Sequence, residues 1–306
     1  MKDQALVSII IPTYGRCDTL NLAVQSVLKQ DYKNIEVLVI DDNDNPIMSK
    51  KVRANLSEYQ SDPRLKYFSD GVNRGGAGAR NKGIELSIGY YITFLDDDDL
   101  FLENKISKQI DFLEKEQLDV CLCDMYFKQG DRFIKKSNCY ANGTTLKEFI
   151  LKGNCYTPMI MCKRHVLIDI GGFVLTPRFQ DHLLMIRILS NTSKVGHLSE
   201  QLFVHNNHNG ERITYSNKSA EAYILREKME REYIYLLNSN ERKTFEFKKA
   251  LIRMKIYRLK NEHMKLLKIT LYAVKNLTNF SDVYALGKTL ILSLIHISEP
   301  TRLGMI

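Results

Sequence analysis

Continuous apolar runs and helical periodicity alternate along the first part of the chain. Residues 7–11 and 35–40 are almost wholly apolar, which predicts two buried strands. The segment between them follows a candidate cap at Asp18 or Thr19. Its apolar residues recur at helical spacing: Leu20, Ala23, Val24, Val27 and Leu28. A strand, a helix and a strand in this order predict a βαβ unit with parallel strands and a right-handed crossover.

Four consecutive aspartates, Asp96, Asp97, Asp98 and Asp99, follow a predicted strand at residues 91–95. Carboxylates this close repel one another and raise each other's pKa unless a positive charge lies among them. A divalent cation such as Mg²⁺ or Mn²⁺ meets that need, because hard cations bind carboxylate oxygens. The alternative is a solvated acidic turn that begins the next helix. In either case we expect Asp99 to be the N-cap of a helix over residues 100–115.

Two further segments bring polar residues to the same edge of the predicted sheet. Asp41 and Asp42 follow the strand at 35–40, and ligands of open α/β sheets bind at the carboxyl ends of strands. Residues 73–83 form a loop of small residues that contains Arg74 and Arg80 and runs into a helix. Glycines allow close approach of a ligand, and arginines near a helix N-terminus favour phosphate. A flexible turn is the alternative, since the loop is neither a P-loop nor a dinucleotide fingerprint.

The remaining pattern divides the chain into three segments. Further strands are predicted at 65–68, 119–127, 158–162 and 195–205, and further helices at 51–59, 102–116, 146–151, 163–170 and 181–189. We therefore expect an α/β domain over residues 1–216, with an open, mostly parallel Rossmann-like sheet flanked by helices. Residues 217–291 are charged and helical, which predicts a C-terminal helical extension. Residues 292–306 resemble a translated sequencing adapter and are excluded from the fold.

The net charge of +8 is concentrated in the predicted extension. Residues 217–291 hold 16 Lys and Arg against 8 Asp and Glu. Apolar residues interleave with these charges: Met254, Ile256, Leu259, Leu266, Leu267 and Leu271. This combination favours contact with an anionic membrane surface, although the same side chains could instead pack the extension onto the first domain.

Cysteine usage and the absence of targeting signals indicate the compartment. The six cysteines show neither a metal-site spacing nor a disulfide framework, which favours a reducing environment. The sequence has no secretory signal pattern and no apolar run as long as a membrane span. We therefore expect a cytoplasmic protein, with peripheral contact at the inner face of the plasma membrane if the basic extension binds lipid.

Several of these segments together resemble the family-2 glycosyltransferases of the GT-A fold. The resemblance covers residues 7–214 and follows the order of the family's motifs. It is carried by residues 7–14 (VSIIIPTY), 36–42 (EVLVIDD), 78–84 (GARNKGI), 91–99 (YITFLDDDD), 171–173 (GGF) and 180–181 (QD). The resemblance implies transfer of a sugar from a nucleotide-sugar donor to an acceptor hydroxyl, usually with inversion, and the expected donor is a UDP-sugar.

The resemblance also implies roles for individual residues of the donor site. Thr13 and Asp42 would hold the nucleoside, and Arg74 or Arg80 would approach the base or the diphosphate. Asp96, Asp97 and Asp98 take the place of the family's DXD motif. The donor-binding set is thus Pro12, Thr13, Tyr14, Arg16, Asp42, Arg74, Arg80, Asp96 and Asp97.

The metal site and the catalytic base are likewise implied by the resemblance. Asp98 is the expected ligand of Mn²⁺ or Mg²⁺, joined by His208, with His205 as the second choice. Asp181 matches the family's base, which deprotonates the acceptor hydroxyl. The chain departs from the family's usual pattern at Gln180, where a glutamate commonly precedes that aspartate.

The leading interpretation is therefore an inverting glycosyltransferase of cell-surface polysaccharide synthesis, acting on a glycan or a lipid-linked glycan. One alternative is a non-catalytic nucleotide-sugar-binding relative, which would be expected to lose Asp181 or the acidic cluster. A sugar nucleotidyltransferase is a second alternative, but the loop at residues 12–16 lacks the glycine-rich character of that class. No nucleic-acid partner is expected, because the chain carries no nucleic-acid-binding motif and its first domain is nearly neutral.

Overall fold

The computed structural model describes residues 5–207 and 217–295 of the chain. It divides into two compact units, one ending at Arg226 and the other beginning at Glu227. Helix α8 (Asn217–Arg231) contains this division point. The predicted division at residues 216 and 217 coincides with the start of that helix, and it stays a prediction.

The first unit is built on one nine-stranded sheet. Its strands are β1 (Val7–Thr13), β2 (Ile35–Asp41), β3 (Leu65–Ser69), β4 (Tyr91–Phe94), β5 (Leu100–Phe101), β6 (Val120–Gln129), β7 (Arg132–Ile134), β8 (Ile160–Lys163) and β9 (Val195–Asn207). The strand order is β3-β2-β1-β4-β8-β6-β9-β5, with β7 paired to β6. The α/β fold with helices beside a central sheet is therefore as predicted.

The sheet is mixed, which corrects the expectation of a mostly parallel one. Strands β3, β2, β1 and β4 are parallel neighbours, as are β6 and β9. Strand β8 runs antiparallel between β4 and β6, and the short strands β5 and β7 also pair antiparallel. The apolar pattern predicted buried strands correctly, but burial on both faces does not distinguish the direction of a strand.

Eight helices accompany the sheet in the described part of the first unit, including the start of α8. Besides α8 they are α1 (Leu20–Leu28), α2 (Pro46–Asn55), α3 (Gly75–Leu86), α4 (Lys105–Lys115), α5 (Leu146–Lys152), α6 (Arg164–Asp169) and α7 (Gln180–Asn191). Helix α3 packs closely on the parallel half of the sheet. A Cβ at Gly83 would lie 2.4 Å from Cγ2 of Ile10, so only glycine allows α3 to approach β1 this closely.

Two helix boundaries differ from the sequence prediction for local reasons. The helix predicted at residues 51–59 begins instead at Pro46, because Asn45 accepts a hydrogen bond from the Ile47 amide at 2.9 Å. The helix predicted from residue 100 begins at Lys105. Leu100 and Phe101 instead pair with β9, an antiparallel contact between segments a hundred residues apart.

The second unit is helical, as predicted for the extension. It contains the end of α8, then α9 (Ser239–Leu259), α10 (His263–Lys275) and α11 (Phe280–Ile295). One cluster of buried apolar residues in this unit consists of Phe247, Ala250, Met254, Ala273 and Leu286. No helix in residues 5–207 and 217–295 has the length and apolarity needed to cross a bilayer.

Ion pairs hold α8 and α9 together in the second unit. Arg231 forms a bidentate salt bridge with Glu246, with 2.7 Å for each hydrogen bond, and also pairs with Glu227. Glu227 is shared with Arg253 at 2.7 Å. These four charges therefore help to pack α8 on α9.

Candidate active site

A cavity of about 370 Å³ lies at the carboxyl ends of β1, β2 and β4. Because these strands are parallel neighbours, the loops that follow them meet at one edge of the sheet. The lining residues are Pro12, Thr13, Tyr14, Arg16, Asp42, Gly76, Ala79, Arg80, Asp96, Asp97, Asp98 and His205. The structure thus brings together the predicted donor-binding residues, except Arg74, with Asp98 and His205.

The acidic segment of this first cavity is held by polar partners from β1, from the loop after β1 and from α3. Asp97 accepts a hydrogen bond from the Thr13 hydroxyl at 2.7 Å. Arg16 pairs with Asp98 and approaches Asp97 at 3.4 Å, and Arg80 pairs with Asp96. Burial raises the pKa of Asp97 to about 6, with the Thr13 bond opposing the shift and the Asp98 charge adding to it.

Asp99 does not cap a helix, which corrects that prediction. Its side chain is fully buried and accepts hydrogen bonds from the Asn206 amide at 2.9 Å and from Nδ1 of His205 at 3.0 Å. These bonds join the end of β9 to the acidic segment and place His205 in the cavity wall. Burial alone would lower the pKa of His205, but the hydrogen bond and charge of Asp99 outweigh it and raise that pKa.

Asp42 and Arg74 meet through the backbone of Arg74. The amide of Arg74 donates to Oδ1 of Asp42 at 2.8 Å, which fixes the start of α3 against the end of β2. The guanidinium of Arg74 turns to Asp70, with one bond of 2.8 Å, and is not part of the cavity lining. Burial raises the pKa of Asp42, partly offset by the hydrogen bond from Arg74.

A second cavity of about 530 Å³ adjoins the first and contains the predicted base, Asp181. Arg80 and Asp96 line both cavities, so they form the wall that the two share. The other residues of the second cavity are Gly153, Asn154, Cys155, Tyr156, Thr157, Pro177, Arg178, Phe179, Gln180, His182 and Arg226. Molecules bound in the two cavities would therefore both contact Arg80 and Asp96.

Gln180 explains how Arg80 is held in this shared wall. Its Oε1 accepts from Nη1 of Arg80 at 2.8 Å, and its Nε2 donates to the Thr176 carbonyl at 2.9 Å. Arg80 is 9% exposed, and its Nε has no hydrogen-bond partner among the described residues. The sequence marked Gln180 only as a departure from the family pattern, whereas the structure shows that it orients a buried guanidinium.

Asn81 ties the helix that carries Arg80 to the loop that leads to Asp181. Its side chain accepts from the Phe173 amide at 2.7 Å and donates to the Phe173 carbonyl at 2.9 Å. Gly172 has a φ of +67°, and a Cβ there would lie 2.4 Å from Oδ1 of Asn81. These hydrogen bonds therefore hold together the two motifs at residues 78–84 and 171–173.

Asp181 lies in the first turn of α7, where it accepts from the His182 amide at 2.7 Å. Burial raises its pKa, and this outweighs the lowering by that hydrogen bond and by the charge of Arg80. His182 itself is buried, with its ring 4.7 Å from that of Phe149. A carboxylate with a raised pKa in a cavity wall is suited to accept a proton from a hydroxyl group.

No group of three or more His, Cys, Asp or Glu side chains in residues 5–207 and 217–295 is arranged to hold a metal ion alone. Asp96 and Asp98 nevertheless fit a hard cation, because each contacts an arginine through only one carboxylate oxygen. Mg²⁺ is commonly bound by one or two carboxylates together with substrate phosphates. The predicted ligand His208 lies outside the described residues.

Comparison with known proteins identifies a family match and several similar glycosyltransferases. A family model described as glycosyl transferase family 2 matches residues 8–179. Escherichia coli WfgD, a UDP-Glc:α-D-GlcNAc-diphosphoundecaprenol β-1,3-glucosyltransferase, is 40% identical over 116 residues, covering 38% of this chain and 44% of WfgD. WcaA of Escherichia coli K12, a putative colanic acid biosynthesis glycosyl transferase, is 28% identical over 242 residues, covering 73% of this chain and 81% of WcaA.

Two uncharacterized Rickettsia glycosyltransferases, 45% and 44% identical over 109 residues, are much longer, and the match spans 17% of their length. Among solved structures, Staphylococcus aureus TarS 1–349 in complex with UDP-GlcNAc has a TM-score of 0.66 at 19% identity. That match covers 89% of this chain and 81% of the TarS chain. The shared architecture is the GT-A fold that the sequence predicted.

Proposed function

The chain belongs to glycosyl transferase family 2, and we propose that it transfers a sugar from a UDP-sugar to an acceptor hydroxyl with inversion. The observation that carries this proposal is the pair of adjoining cavities with Arg80 and Asp96 in their common wall. The first cavity holds the acidic segment and suits the donor. The second holds Asp181 and suits the acceptor.

The donor cavity has the groups that a nucleoside diphosphate needs. Thr13 and Asp42 lie where the nucleoside would bind, beside Pro12 and the exposed ring of Tyr14. Arg16 and Arg80 are the guanidiniums that would approach the diphosphate. Arg74 would act in donor binding only through its backbone contact with Asp42, unless its side chain leaves Asp70.

Charge is the reason to include a divalent ion in the proposal. Four carboxylates line the donor cavity against two guanidiniums: Asp42, Asp96, Asp97 and Asp98 against Arg16 and Arg80. A diphosphate would add further negative charge to this excess. When bound by Asp98, with Asp96 beside it, Mn²⁺ or Mg²⁺ would neutralise the diphosphate and assist its departure. The half-exposed side chain of Arg16 can move away from Asp98 to admit the ion.

The reaction then follows from the placement of Asp181. The acceptor hydroxyl attacks C1 of the donor sugar from the side opposite the diphosphate, and its proton passes to the Asp181 carboxylate. The new bond joins the acceptor oxygen to C1, while the bond from C1 to the diphosphate oxygen breaks and UDP leaves. Because attack and departure occur on opposite sides of C1, the configuration at that carbon is inverted.

The proposed acceptor is a lipid-linked glycan of bacterial surface polysaccharide synthesis. The names of two relatives support this class, since one acts on a diphosphoundecaprenol-linked sugar and the other is assigned to colanic acid synthesis. An acceptor on a lipid would have to be met at a membrane surface. The second unit offers features suited to that contact.

Exposed apolar residues and lysines alternate on α10. Met264, Leu267, Leu271 and Val274 recur at helical spacing and are 48–68% exposed. Lys265, Lys268 and Lys275 lie between and beside them. By contrast, the predicted contact residues Met254 and Ile256 are buried in the second unit. We therefore propose that α10 lies on the inner face of an anionic membrane, where each lysine contributes about 1 kcal/mol.

We predict that the full chain co-sediments with phosphatidylglycerol vesicles at low salt. The double variant Leu267→Glu/Leu271→Glu should weaken this binding by about tenfold or more, because each leucine buried in the membrane surface contributes about 1.5–3 kcal/mol. Ile88→Glu is the matched control, since Ile88 is 69% exposed in the first unit. Phosphatidylcholine vesicles give the charge dependence. Equal sedimentation of the wild type and the double variant would exclude α10 as the contact surface.

A panel of nucleotide sugars tests the donor assignment. The full chain is incubated with UDP-glucose, UDP-GlcNAc or a GDP-sugar, with Mn²⁺ or EDTA, and thermal unfolding is recorded. We expect stabilisation by a UDP-sugar that depends on Mn²⁺, since ligands that bind only the folded state raise its stability. Stabilisation by none of the nucleotides, or by all of them equally in EDTA, would contradict the proposed donor site.

A further inference from the structure

The second cavity carries more positive charge than a cavity for a neutral sugar requires. Three guanidiniums line it, from Arg80, Arg178 and Arg226, against the carboxylates of Asp96 and Asp181. Arg80 is already engaged by Asp96 and Gln180 in the wall shared with the donor cavity. Arg178 and Arg226 are the other two, and they line the cavity together with the proposed base.

Both of these arginines lie over one aromatic ring. The Cζ atoms of Arg178 and Arg226 lie 5.5 and 5.1 Å from the centroid of the Phe179 ring. The ring of Tyr223 meets Phe179 edge to face at 6.3 Å. A guanidinium held over an aromatic ring by a cation–π contact still has five N–H groups, which can form paired bonds with phosphate.

The backbone at Phe179 is unusual in a way that serves this arrangement. Phe179 has φ 61° and ψ 26°, the left-handed conformation that a bulky residue rarely adopts. It is the residue immediately before α7, two positions before Asp181. A left-handed backbone conformation at a bulky residue lowers stability and is found most often at functional sites. Here it positions the ring of Phe179 against two arginines beside the proposed base.

We propose that Arg178 and Arg226 bind a phosphate group of the acceptor. The acceptor is then a glycosyl phosphate or diphosphate whose sugar hydroxyl lies at Asp181. This inference rests on the proposed function and specifies the acceptor class of the same site. One of the two arginines, Arg226, lies in α8, 45 residues beyond the base in the sequence.

Two soluble acceptors that differ only in the phosphate test this proposal. One is N-acetylglucosamine on a short alkyl diphosphate, and the other is the same sugar as a neutral alkyl glycoside. Binding to the full chain is measured by calorimetry with saturating UDP and an equimolar amount of Mn²⁺ in both titrations, so that the donor cavity is filled. We expect the wild type to prefer the diphosphate compound by about tenfold to a hundredfold, the effect of charged hydrogen bonds to phosphate.

Variants of the two arginines identify the groups responsible. In Arg178→Ala/Arg226→Ala the preference should disappear, and Arg178→Lys/Arg226→Lys should restore part of it. Arg132→Ala, at an exposed arginine of β7, is the control. In transfer assays the alanine variant should show a raised KM for the diphosphate acceptor with little change in kcat, and an unchanged KM for the donor.

Each outcome of these titrations decides the question. Equal wild-type affinity for the two compounds, or a preference that survives in the alanine double variant, overturns the proposal. Weakened UDP binding in that variant would assign the arginines to the donor and also overturn it. If the preference and its loss are observed but no sugar is transferred, the phosphate site stands and the proposed transferase activity fails.

Discussion

Replacement of Asp181 by asparagine is expected to lower the rate of sugar transfer by about 10²–10⁴-fold, the usual contribution of a positioned general base. Asparagine has the same shape and can still accept the hydrogen bond from the His182 amide, so α7 should begin as before. It cannot accept the proton of the acceptor hydroxyl. The loss should therefore appear in kcat, measured as UDP release in the presence of acceptor.

Donor binding separates this expectation from a general loss of structure. Asp181 lies in the second cavity and not in the first, so Asp181→Asn should bind UDP with Mn²⁺ as the wild type does. Asp111→Asn, on the exposed side of α4, is the matched control and should transfer sugar normally. Near wild-type transfer by Asp181→Asn would show that another group is the base.

Asp98→Ala is expected to abolish the Mn²⁺-dependent part of UDP binding. Loss of a metal ligand should cost more than the roughly 10–100-fold that follows from losing a group that only orients one. The charge balance of the donor cavity adds a second expectation. In EDTA the variant should bind UDP at least as well as the wild type, because one of four carboxylates has been removed and Arg16 is released from its pair.

Calorimetric titration of UDP with Mn²⁺ and with EDTA gives both results. Asp44→Ala is the matched control, because Asp44 is exposed in the loop after β2 and does not line the cavity. Wild-type affinity that EDTA leaves unchanged would contradict the metal assignment. So would an Asp98→Ala variant that responds to Mn²⁺ as strongly as the wild type.

The sequence predicts the donor cavity well because its geometry is local to a parallel βαβ arrangement. Once residues 7–11, 35–40 and 91–95 are recognised as neighbouring strands, the loops that follow them must meet at one edge. Thr13, Asp42 and the acidic segment are then brought together by the fold itself. No side-chain detail is needed to place them.

Contacts between distant segments could not be predicted in the same way. Asp99 matches a helix cap by its position, but the amide of Asn206 and the ring of His205 occupy its oxygens. The contribution of Arg226 to the second cavity depends on where α8 lies, and no local pattern specifies this. In each case the role of the residue depends on contacts with distant segments, which the neighbouring sequence does not specify.

In the basic extension, the periodicity of apolar residues does not predict which of them are buried. Its helices carry charges on most faces, so apolar residues alone do not indicate which side packs. Met254 is 2% exposed and belongs to the core of the second unit, whereas Leu267 and Leu271 are 55% and 58% exposed. Only the structure separates the residues that stabilise this unit from those left for a surface.

The most direct test of inverting sugar transfer is the anomeric configuration of the product. The full chain is incubated with Mn²⁺, UDP-glucose or UDP-GlcNAc and the alkyl diphosphate acceptor, and the product is analysed by mass spectrometry and proton NMR. We expect the addition of one sugar in β-linkage from an α-linked donor, with release of UDP. A product with retained configuration, release of UMP with a sugar phosphate, or a bound donor that is never consumed would contradict it.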